Sequence, residues 1–243
     1  MKERSQNSEG KRIKLGTKNT SNQIYPCLYT DERMVIDGHL KEKSWRNAPY
    51  LDFFVPVSRK PAVSKTEGRI LWSKTHLYVG FKAYDRDIWG YYTKRDSPTC
   101  REDVLEVFFQ PDPEADPYYN FEINALGTVY DAFNVKRNAG GEDHHRWSRW
   151  NCRGLKVGIQ IKGTLNNYAD EDEYWQMEVA IPFASLPTLN GKPPAAGAIW
   201  KFHLARYDYS VYLKNGVELS SCARLKRADF HNADEWRLMN FVR

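Results

Sequence analysis

The stretch REDVLEVFFQ, from Arg101 to Gln110, carries the alternation that decides the fold. Leu105, Val107 and Phe109 form an apolar face, because successive side chains of a β-strand point to opposite faces. Glu106 lies in the middle of the other face, where a carboxylate contributes nothing to core packing. A strand with one apolar and one acidic face indicates a sheet whose second face is a binding surface.

Similar short, alternating segments recur along the 243 residues, each bounded by Gly, Pro, Asn or Asp. The predicted strands are GRILWS, HLYVGFKAYD, DVLEVFFQ, YYNFEINAL, TVYDAFNV, LKVGIQIKG, YWQMEVAIP, IWKFHLARYD and EWRLMNFV. Parallel strands need long crossover connections, usually helices, and no long helical period separates these segments. We therefore expect an all-β fold, an antiparallel β-sandwich of jelly-roll type with one or two short helices.

The segment before these strands predicts the short helical part of the fold. MVIDG indicates a short strand followed by a turn at Asp37 and Gly38. HLKEKSWRNAP then predicts one or two turns of helix, closed by Pro49.

The start of the chain differs in composition from the rest. Residues 1–23 are polar, charged and aperiodic, which predicts a disordered N-terminal tail or linker, followed by one β-sandwich domain over residues 24–243. The first eighteen positions hold six Lys or Arg and two Glu, so most of the formal net charge of +5 lies there. Nucleic-acid binding requires a concentrated basic face, and the nearly neutral body disfavours it.

The sequence also bears on the cell compartment. No run approaches the roughly twenty apolar residues that cross a bilayer, and the first residues lack the apolar centre of a signal peptide. We expect a secreted, periplasmic or cell-surface protein whose signal peptide is absent from this sequence. The four cysteines form no CxxC pair, and an oxidising compartment would allow them two disulfides in three alternative pairings. They are Cys27, Cys100, Cys152 and Cys222.

Two more predicted strands carry polar residues on the face opposite the core. In YYNFEINAL these are Asn120, Glu122 and Asn124, and in YWQMEVAIP they are Gln176 and Glu178. Asn and Glu are poor strand formers, so their place in strand centres favours binding over a merely solvated face, which remains the alternative. Carboxylates and carboxamides in a shallow cleft form paired hydrogen bonds with the vicinal hydroxyls of sugars.

Aromatic residues outside the strands offer flat apolar surfaces for a sugar ring. Trp89 lies in DRDIWGYYTKRDSP, and Trp147 and Trp150 lie in EDHHRWSRWN. Each is a candidate stacking platform, and a lid over the core is the alternative for each. Arg95, in the same segment as Trp89, is a further candidate ligand contact.

The order of the motifs between Met34 and Phe241 resembles that of family 9 carbohydrate-binding modules (CBM9) and CBM9-like domains. The motifs are VIDGHLKEKSWRNAP, HLYVGFKAYD, REDVLEVFFQPD, YYNFEINALGTVYDA, YWQMEVAIPFASL, IWKFHLARYD and DFHNADEWRLMNF. The resemblance implies a β-sandwich without catalytic activity that binds a glycan or oligosaccharide, with a larger polysaccharide-degrading protein or complex as partner. It also implies structural calcium and no organic cofactor.

The resemblance assigns hydrogen bonds with the sugar to Glu106, Glu122 and Asn124. Arg206, which closes FHLAR, resembles a further polar contact, and its side of the sheet depends on whether the strand contains a bulge. Family members usually hold the sugar between two tryptophans, and the corresponding positions here are Cys100 and Cys222. A thiol offers no flat platform, and two cysteines on opposite walls of one cleft would be able to bridge and block it.

These substitutions leave a second reading of the domain open. Either Trp89, Trp147 or Trp150 replaces the missing platforms, or the chain is an interaction or scaffold domain that has lost sugar binding. Related sandwiches of the DOMON type bind haem through Met with Lys or His, which makes a haem-binding domain another alternative. The methionines of this chain are Met1, Met34, Met177 and Met239.

Two further chemistries involve the acidic residues. A glycosidase needs two carboxylates about 5 to 10 Å apart, and Glu106 and Glu122 on neighbouring strands meet that requirement. Calcium prefers hard oxygen ligands, which the loops YDRD and QPDPEADP supply. Their candidate ligands are Asp85, Asp87, Asp112 and Asp116. GGEDHHRW, with residues 142–145 in a row, indicates a solvated loop more than a metal site.

Overall fold

The computed structural model describes residues 18–20, 23–135 and 150–243. Within this part of the chain there are twelve strands and one short α-helix, α1 (Lys43–Asn47). The strands are β1 (Tyr25–Tyr29), β2 (Leu51–Asp52), β3 (Thr66–Trp72), β4 (His76–Tyr84), β5 (Val104–Gln110), β6 (Tyr118–Asn124), β7 (Val129–Asn134), β8 (Lys156–Lys162), β9 (Tyr174–Pro182), β10 (Ile199–Tyr209), β11 (Val217–Ser221) and β12 (Arg237–Val242). Single 3-10 turns occur at Thr99–Arg101, Phe183–Ser185, Pro187–Leu189 and Ala233–Glu235. The prediction of an all-β fold with few short helices is confirmed.

One continuous sheet connects the strands in the order β7-β6-β5-β10-β12-β1-β3-β4-β9-β8, with β11 paired to β10 and β2 to β3. The pairing is antiparallel except at β1, which runs parallel to both β12 and β3. The short helix and the nine predicted strands are present, but MVIDG forms no strand. The strands β1, β2 and β11 are additional to those that the sequence patterns predicted. None of the helices in the described residues is long and apolar enough to cross a bilayer.

The sheet curls so that its apolar faces enclose one core. Gly68 of β3 lies against the side chain of Leu204 of β10, although two other strands separate β3 from β10 in the sheet. Ring contacts line the inner face, with Trp200 packed against Phe241 at 4.7 Å and against Phe109 at 5.6 Å between ring centroids. The alternating apolar residues of both halves therefore meet in a single cluster.

A row of three residues on the outer face anchors the helical segment to the sheet. Glu178 of β9 is paired with Gly80 of β4 on one side and with Gly158 of β8 on the other. A Cβ atom on Gly158 would lie 2.5 Å from the backbone nitrogen of Gly38, so the missing side chain lets the turn approach closely. The turn and helix thus cover the carboxylate between the two glycines.

Glu178 holds this segment by hydrogen bonds. Its carboxylate accepts them from the indole of Trp45 at 2.6 Å and from the backbone of Gly38 at 2.8 Å and Asp37 at 3.1 Å. The residue is fully buried. Glu178 is therefore a structural anchor, and the turn at Asp37 is oriented toward the sheet instead of continuing a strand.

The first described residues contact the domain. Asn19 is buried, and its side-chain oxygen accepts a hydrogen bond from Arg237 of β12. The same guanidinium donates to the carbonyl oxygens of Thr20 at 2.8 Å and Gln23 at 2.9 Å. The domain limits at residues 23 and 24 stay a prediction, with residues 18–20 lying against the sheet.

Candidate functional site

Two carboxylates face each other in the centre of the sheet. Glu106 of β5 lies directly opposite Glu122 of β6, so both side chains project from the same face. On the other side of β5, the residue opposite Glu106 is Ala205, which is fully buried. Tyr207 follows on the same face of β10, and Tyr130 of β7 lies opposite Glu122. We call this pair of carboxylates, together with the polar side chains around it, the acidic hollow.

The hydrogen bonds in the acidic hollow are unequally distributed. Glu122 accepts one from the side chain of Asn120 at 3.0 Å and one from Thr99 at 3.2 Å. Glu106 is 3% exposed, and the described residues provide no hydrogen bond to its carboxylate. The side-chain oxygen of Asn120 is also buried without a partner in that part of the chain. The hollow thus contains hydrogen-bonding groups that residues 18–20, 23–135 and 150–243 leave unused.

Burial and mutual repulsion change the ionisation of the pair. Burial raises the pKa of Glu122 to about 7. Burial, and then the charge of Glu122, raise the pKa of Glu106 well above its usual range. In both groups the raised pKa favours the protonated form, which is able to donate a hydrogen bond.

Cys100 lies half-buried next to this pair. Burial, and then the charges of Glu122 and Glu106, raise the pKa of its thiol to about 12. The sulfur is therefore a neutral thiol at physiological pH, without the nucleophilic character of a thiolate.

Asn124 lies on the predicted face of β6, but its amide nitrogen and amide oxygen are already hydrogen-bonded. Its amide nitrogen donates to the carbonyl of Tyr92 at 2.8 Å and to Glu102 at 2.5 Å. Its amide oxygen accepts from the backbone of Leu126 at 3.1 Å and Thr128 at 2.7 Å. Asn124 therefore holds the turn between β6 and β7 to the neighbouring loop, and every polar atom of the side chain is used.

Arg206 lies on the opposite face from Glu106. The pairing of β10 with β5 continues without a bulge, so Ala205 is opposite Glu106 and Arg206 is opposite Leu105. The Arg206 side chain is fully buried and forms ion pairs with Asp85 at 2.7 Å and Asp208 at 2.9 Å. Arg206 therefore lies outside the acidic hollow and is not accessible from it.

Arg206 belongs to a buried acidic cluster formed by Asp85, Asp103 and Asp208. One oxygen atom from each lies within 4.8 Å of the others. Burial raises the pKa of Asp85 to about 7, against the lowering effect of Arg206. The second oxygen of Asp208 is buried without a hydrogen-bond partner among the described residues. One guanidinium therefore leaves this cluster with surplus negative charge, and its hard oxygen atoms fit a divalent cation.

Asp87 and Asp112 were also candidate calcium ligands, and neither belongs to this cluster. Asp87 is buried near it and accepts hydrogen bonds from Ser210 and from the backbone of Val211 at 2.8 Å. Asp112 is exposed and caps a turn through the backbone of Glu114 at 3.0 Å. The cluster includes Asp103 and Asp208, which the sequence patterns did not single out.

The candidate aromatic platforms are found in different environments. Trp89 and Tyr91 stack on each other with ring centroids 6.2 Å apart, at the wall of a surface cavity. Trp150 packs against Tyr119 and Phe121, whose side chains project from the core face of β6. Trp147 lies outside the described residues, as do residues 142–145.

Arg95 and the cysteines have structural contacts. Arg95 forms an ion pair with Asp131 of β7 and also donates a hydrogen bond to Asn151. All four cysteines are free thiols. Cys222 is fully buried in the main core, where its sulfur accepts a hydrogen bond from the backbone of Leu204 at 3.3 Å. The expectation that Cys100 and Cys222 line opposite walls of one cleft is therefore wrong, because Cys222 points into the core.

Sequence reasoning missed part of the acidic hollow. Alternation placed Asn120 on the same face as Glu122 but did not single it out as a ligand contact. Thr99 lies in a 3-10 turn, and no periodicity indicates that its hydroxyl reaches Glu122.

The fold is thus a curled, mostly antiparallel β-sheet that carries two facing carboxylates on one face. The model of the carbohydrate family 9 binding domain-like family matches residues 36–239, and the chain belongs to that family. CBM9 domains are non-catalytic binding modules. No curated protein matches the chain.

Solved structures share the fold. A CBM9 from Caldicellulosiruptor kristjanssonii in complex with cellotriose is 13% identical, with a TM-score of 0.59, covering 90% of this chain and 94% of that chain. A CBM9 from the same organism in complex with glucose is 14% identical, with a TM-score of 0.58 and coverage of 90% and 96%. A Bacteroides uniformis protein is 14% identical, with a TM-score of 0.64 and coverage of 90% and 99%.

Proposed function

We propose that this chain is a carbohydrate-binding module that binds gluco-oligosaccharides through the acidic hollow. The observation that carries the proposal is Glu106. Its carboxylate is nearly buried, has no hydrogen bond within the described residues, and faces a second carboxylate at Glu122. An unpaired buried carboxylate destabilises a fold, so its retention is explained by a ligand that supplies the missing partners.

The chemistry of the hollow fits a sugar. A protonated carboxyl group both donates and accepts hydrogen bonds, and each sugar hydroxyl also does both. The free oxygen of Asn120 adds a third acceptor, and the ring of Tyr207 lies beside the pair on the same face. Family membership and the cellotriose and glucose ligands of two similar structures support this class of ligand.

The test is calorimetric titration of the protein with cellotriose and glucose. Glu106→Gln removes one ionisable group with little change in volume, and we expect it to weaken binding at least tenfold, about 1.4 kcal/mol. Glu114→Gln is the matched control, because Glu114 is exposed and lies beyond the end of β5. Unchanged affinity in Glu106→Gln would exclude the acidic hollow as the site.

We also propose that the buried acidic cluster holds a structural calcium ion, with Asp85, Asp103 and Asp208 as its carboxylate ligands. The unpartnered oxygen of Asp208 and the single compensating guanidinium of Arg206 support the proposal. A bound cation would neutralise the remaining charge of the cluster. Asp103 also accepts hydrogen bonds from the backbone of Trp89 at 2.6 Å and Tyr209 at 2.7 Å, so the cluster positions both loops.

A further inference from the structure

A surface cavity of about 340 Å³ lies beside the acidic hollow. Three of its eight lining residues, Trp89, Tyr91 and Tyr209, are aromatic, and Arg101 and Glu102 supply polar groups at its edge. Among its lining residues, only Trp89 was a candidate platform for a sugar on the sequence alone, and the proposed sugar contacts include none of them. We call it the aromatic cavity.

The polar groups of the ring-bearing segment are already paired. The indole nitrogen of Trp89 donates to Asp87 at 3.2 Å, and its backbone nitrogen donates to Asp103. The backbone nitrogen of Tyr91 donates to Glu102 at 2.5 Å. Tyr91 is nonetheless 65% exposed. The rings are thus held in place by their edges and backbone, and their apolar surface remains available.

Arg101 supplies a free polar group at the edge of these rings. It is exposed, and its guanidinium forms no ion pair within the described part of the chain. A flat apolar surface next to an unpaired hydrogen-bond donor matches the surface of a pyranose, with an apolar ring face and hydroxyls at its edge.

One short turn connects the aromatic cavity with the acidic hollow. In the 3-10 turn Thr99–Arg101, the hydroxyl of Thr99 donates to Glu122 in the hollow. The carbonyl of Cys100 accepts a hydrogen bond from the hydroxyl of Tyr209 at 2.9 Å. Arg101, the third residue, lines the aromatic cavity. The aromatic cavity and the acidic hollow therefore share this turn.

The aromatic cavity and the acidic hollow also lie along one strand face. Ala205, Tyr207 and Tyr209 project from the same face of β10 by alternation, with Ala205 next to Glu106 and Tyr209 in the aromatic cavity. Four residues of strand span roughly 13 Å, which is longer than one pyranose ring. A monosaccharide in the hollow does not reach the cavity, whereas a short oligosaccharide does.

We propose that the aromatic cavity is a second sugar subsite, in which Trp89, Tyr91 and Tyr209 stack on a pyranose ring of the same oligosaccharide that occupies the acidic hollow. The inference rests on the proposed function and specifies it: the ligand is a chain of several sugar residues, and the protein distinguishes it from a monosaccharide. Arg101 donates to the hydroxyls of the stacked residue.

Calorimetric titration with glucose and cellotriose separates the two subsites. We expect the wild-type protein to bind cellotriose about tenfold more tightly than glucose, the order of magnitude of one ring-stacking contact. Tyr91→Ala should remove this gain and leave glucose affinity unchanged. Tyr91 is exposed, so its loss leaves the core intact, and Tyr168→Ala, at a tyrosine that is 76% exposed, is the matched control.

The outcomes distinguish the two proposals. Equal affinity for both sugars, or a Tyr91→Ala variant that keeps the cellotriose gain, would overturn the second subsite while leaving the acidic hollow in place. Failure of the wild-type protein to bind either sugar would overturn the proposed function and this inference together. Loss of glucose binding in Tyr91→Ala would also contradict the division into two subsites.

Discussion

At the scale of single residues, burial decides which polar side chains remain available for a ligand. Alternation along β5 and β6 was enough to place Glu106, Glu122 and Asn124 on one face, and the structure has them there. Alternation does not show that the amide oxygen of Asn124 already accepts hydrogen bonds from the backbone. The donors, Leu126 and Thr128, lie in the turn after β6, which the strand pattern does not describe. Nor does it fix the face of Arg206, which depends on the register between β10 and β5.

Removal of the Glu106 carboxylate should stabilise the ligand-free protein at high pH. Burial, and then the charge of Glu122, raise the pKa of Glu106 well above its unfolded value of 4.5, so the native state binds more protons than the unfolded state once the pH exceeds that value. The contribution of Glu106 to stability is therefore fully present below about pH 4.5 and is lost as the pH rises through its folded pKa. Glu106→Gln removes the repulsion, and its melting temperature should exceed that of the wild-type protein increasingly from pH 5 to pH 8.

Thermal unfolding over that range, without sugar, measures the difference directly. The groups near Glu106 that titrate are Glu122, Cys100 and Tyr207, and the last two stay neutral throughout because burial raises the pKa of each. Glu114→Gln should track the wild-type curve. A difference between Glu106→Gln and wild type that is independent of pH would contradict the assigned coupling.

At the scale of secondary-structure elements, the helical segment is attached by one buried side chain. The strand pattern of β9 placed Glu178 on a polar face, and the same pattern does not show that α1 covers it. That contact requires Gly80 and Gly158 on the neighbouring strands, and their alignment with Glu178 follows from pairing across the sheet. Local sequence could thus predict each element but not the packing of α1 on the sheet.

Glu178→Ala should destabilise the fold by roughly 3 kcal/mol, because three hydrogen-bond donors lose a buried acceptor. The donors are the indole of Trp45 and the backbone nitrogens of Asp37 and Gly38. Gln176→Ala is the matched control on the same face of the same strand. Urea unfolding measures both, and equal midpoints for the two variants would argue against the anchor.

At the scale of the whole molecule, the all-β class follows from the number and spacing of alternating segments. The parallel pairing of β1 with β12 and β3 does not, since YPCLY carries no signal for strand direction. The acidic cluster is also a property of the whole fold. It unites Asp85 at the end of β4, Asp103 before β5 and Asp208 of β10, which are distant in sequence.

Calcium should raise the melting temperature, and its removal by EDTA should lower it. Saturation at about one hundred times the dissociation constant stabilises a folded protein by about 2.7 kcal/mol. Asp208→Asn should abolish the response, whereas Asp112→Asn, at an exposed turn, should keep it. Identical melting in calcium and in EDTA would contradict the metal site, and loss of the response in Asp112→Asn alone would move it to that turn.

The position of β1 has a consequence for biosynthesis. This strand links the two halves of the sheet, and one of its partners, β12, follows all the other strands of this sheet in the sequence. Until β12 is made, β1 lacks one of its two neighbours, so the nascent chain has an unpaired edge on β1, a surface that promotes association between chains. Pairing between segments so far apart in sequence also slows folding. Recombinant yield should therefore improve when expression is weak, because association between unfinished chains depends on their concentration.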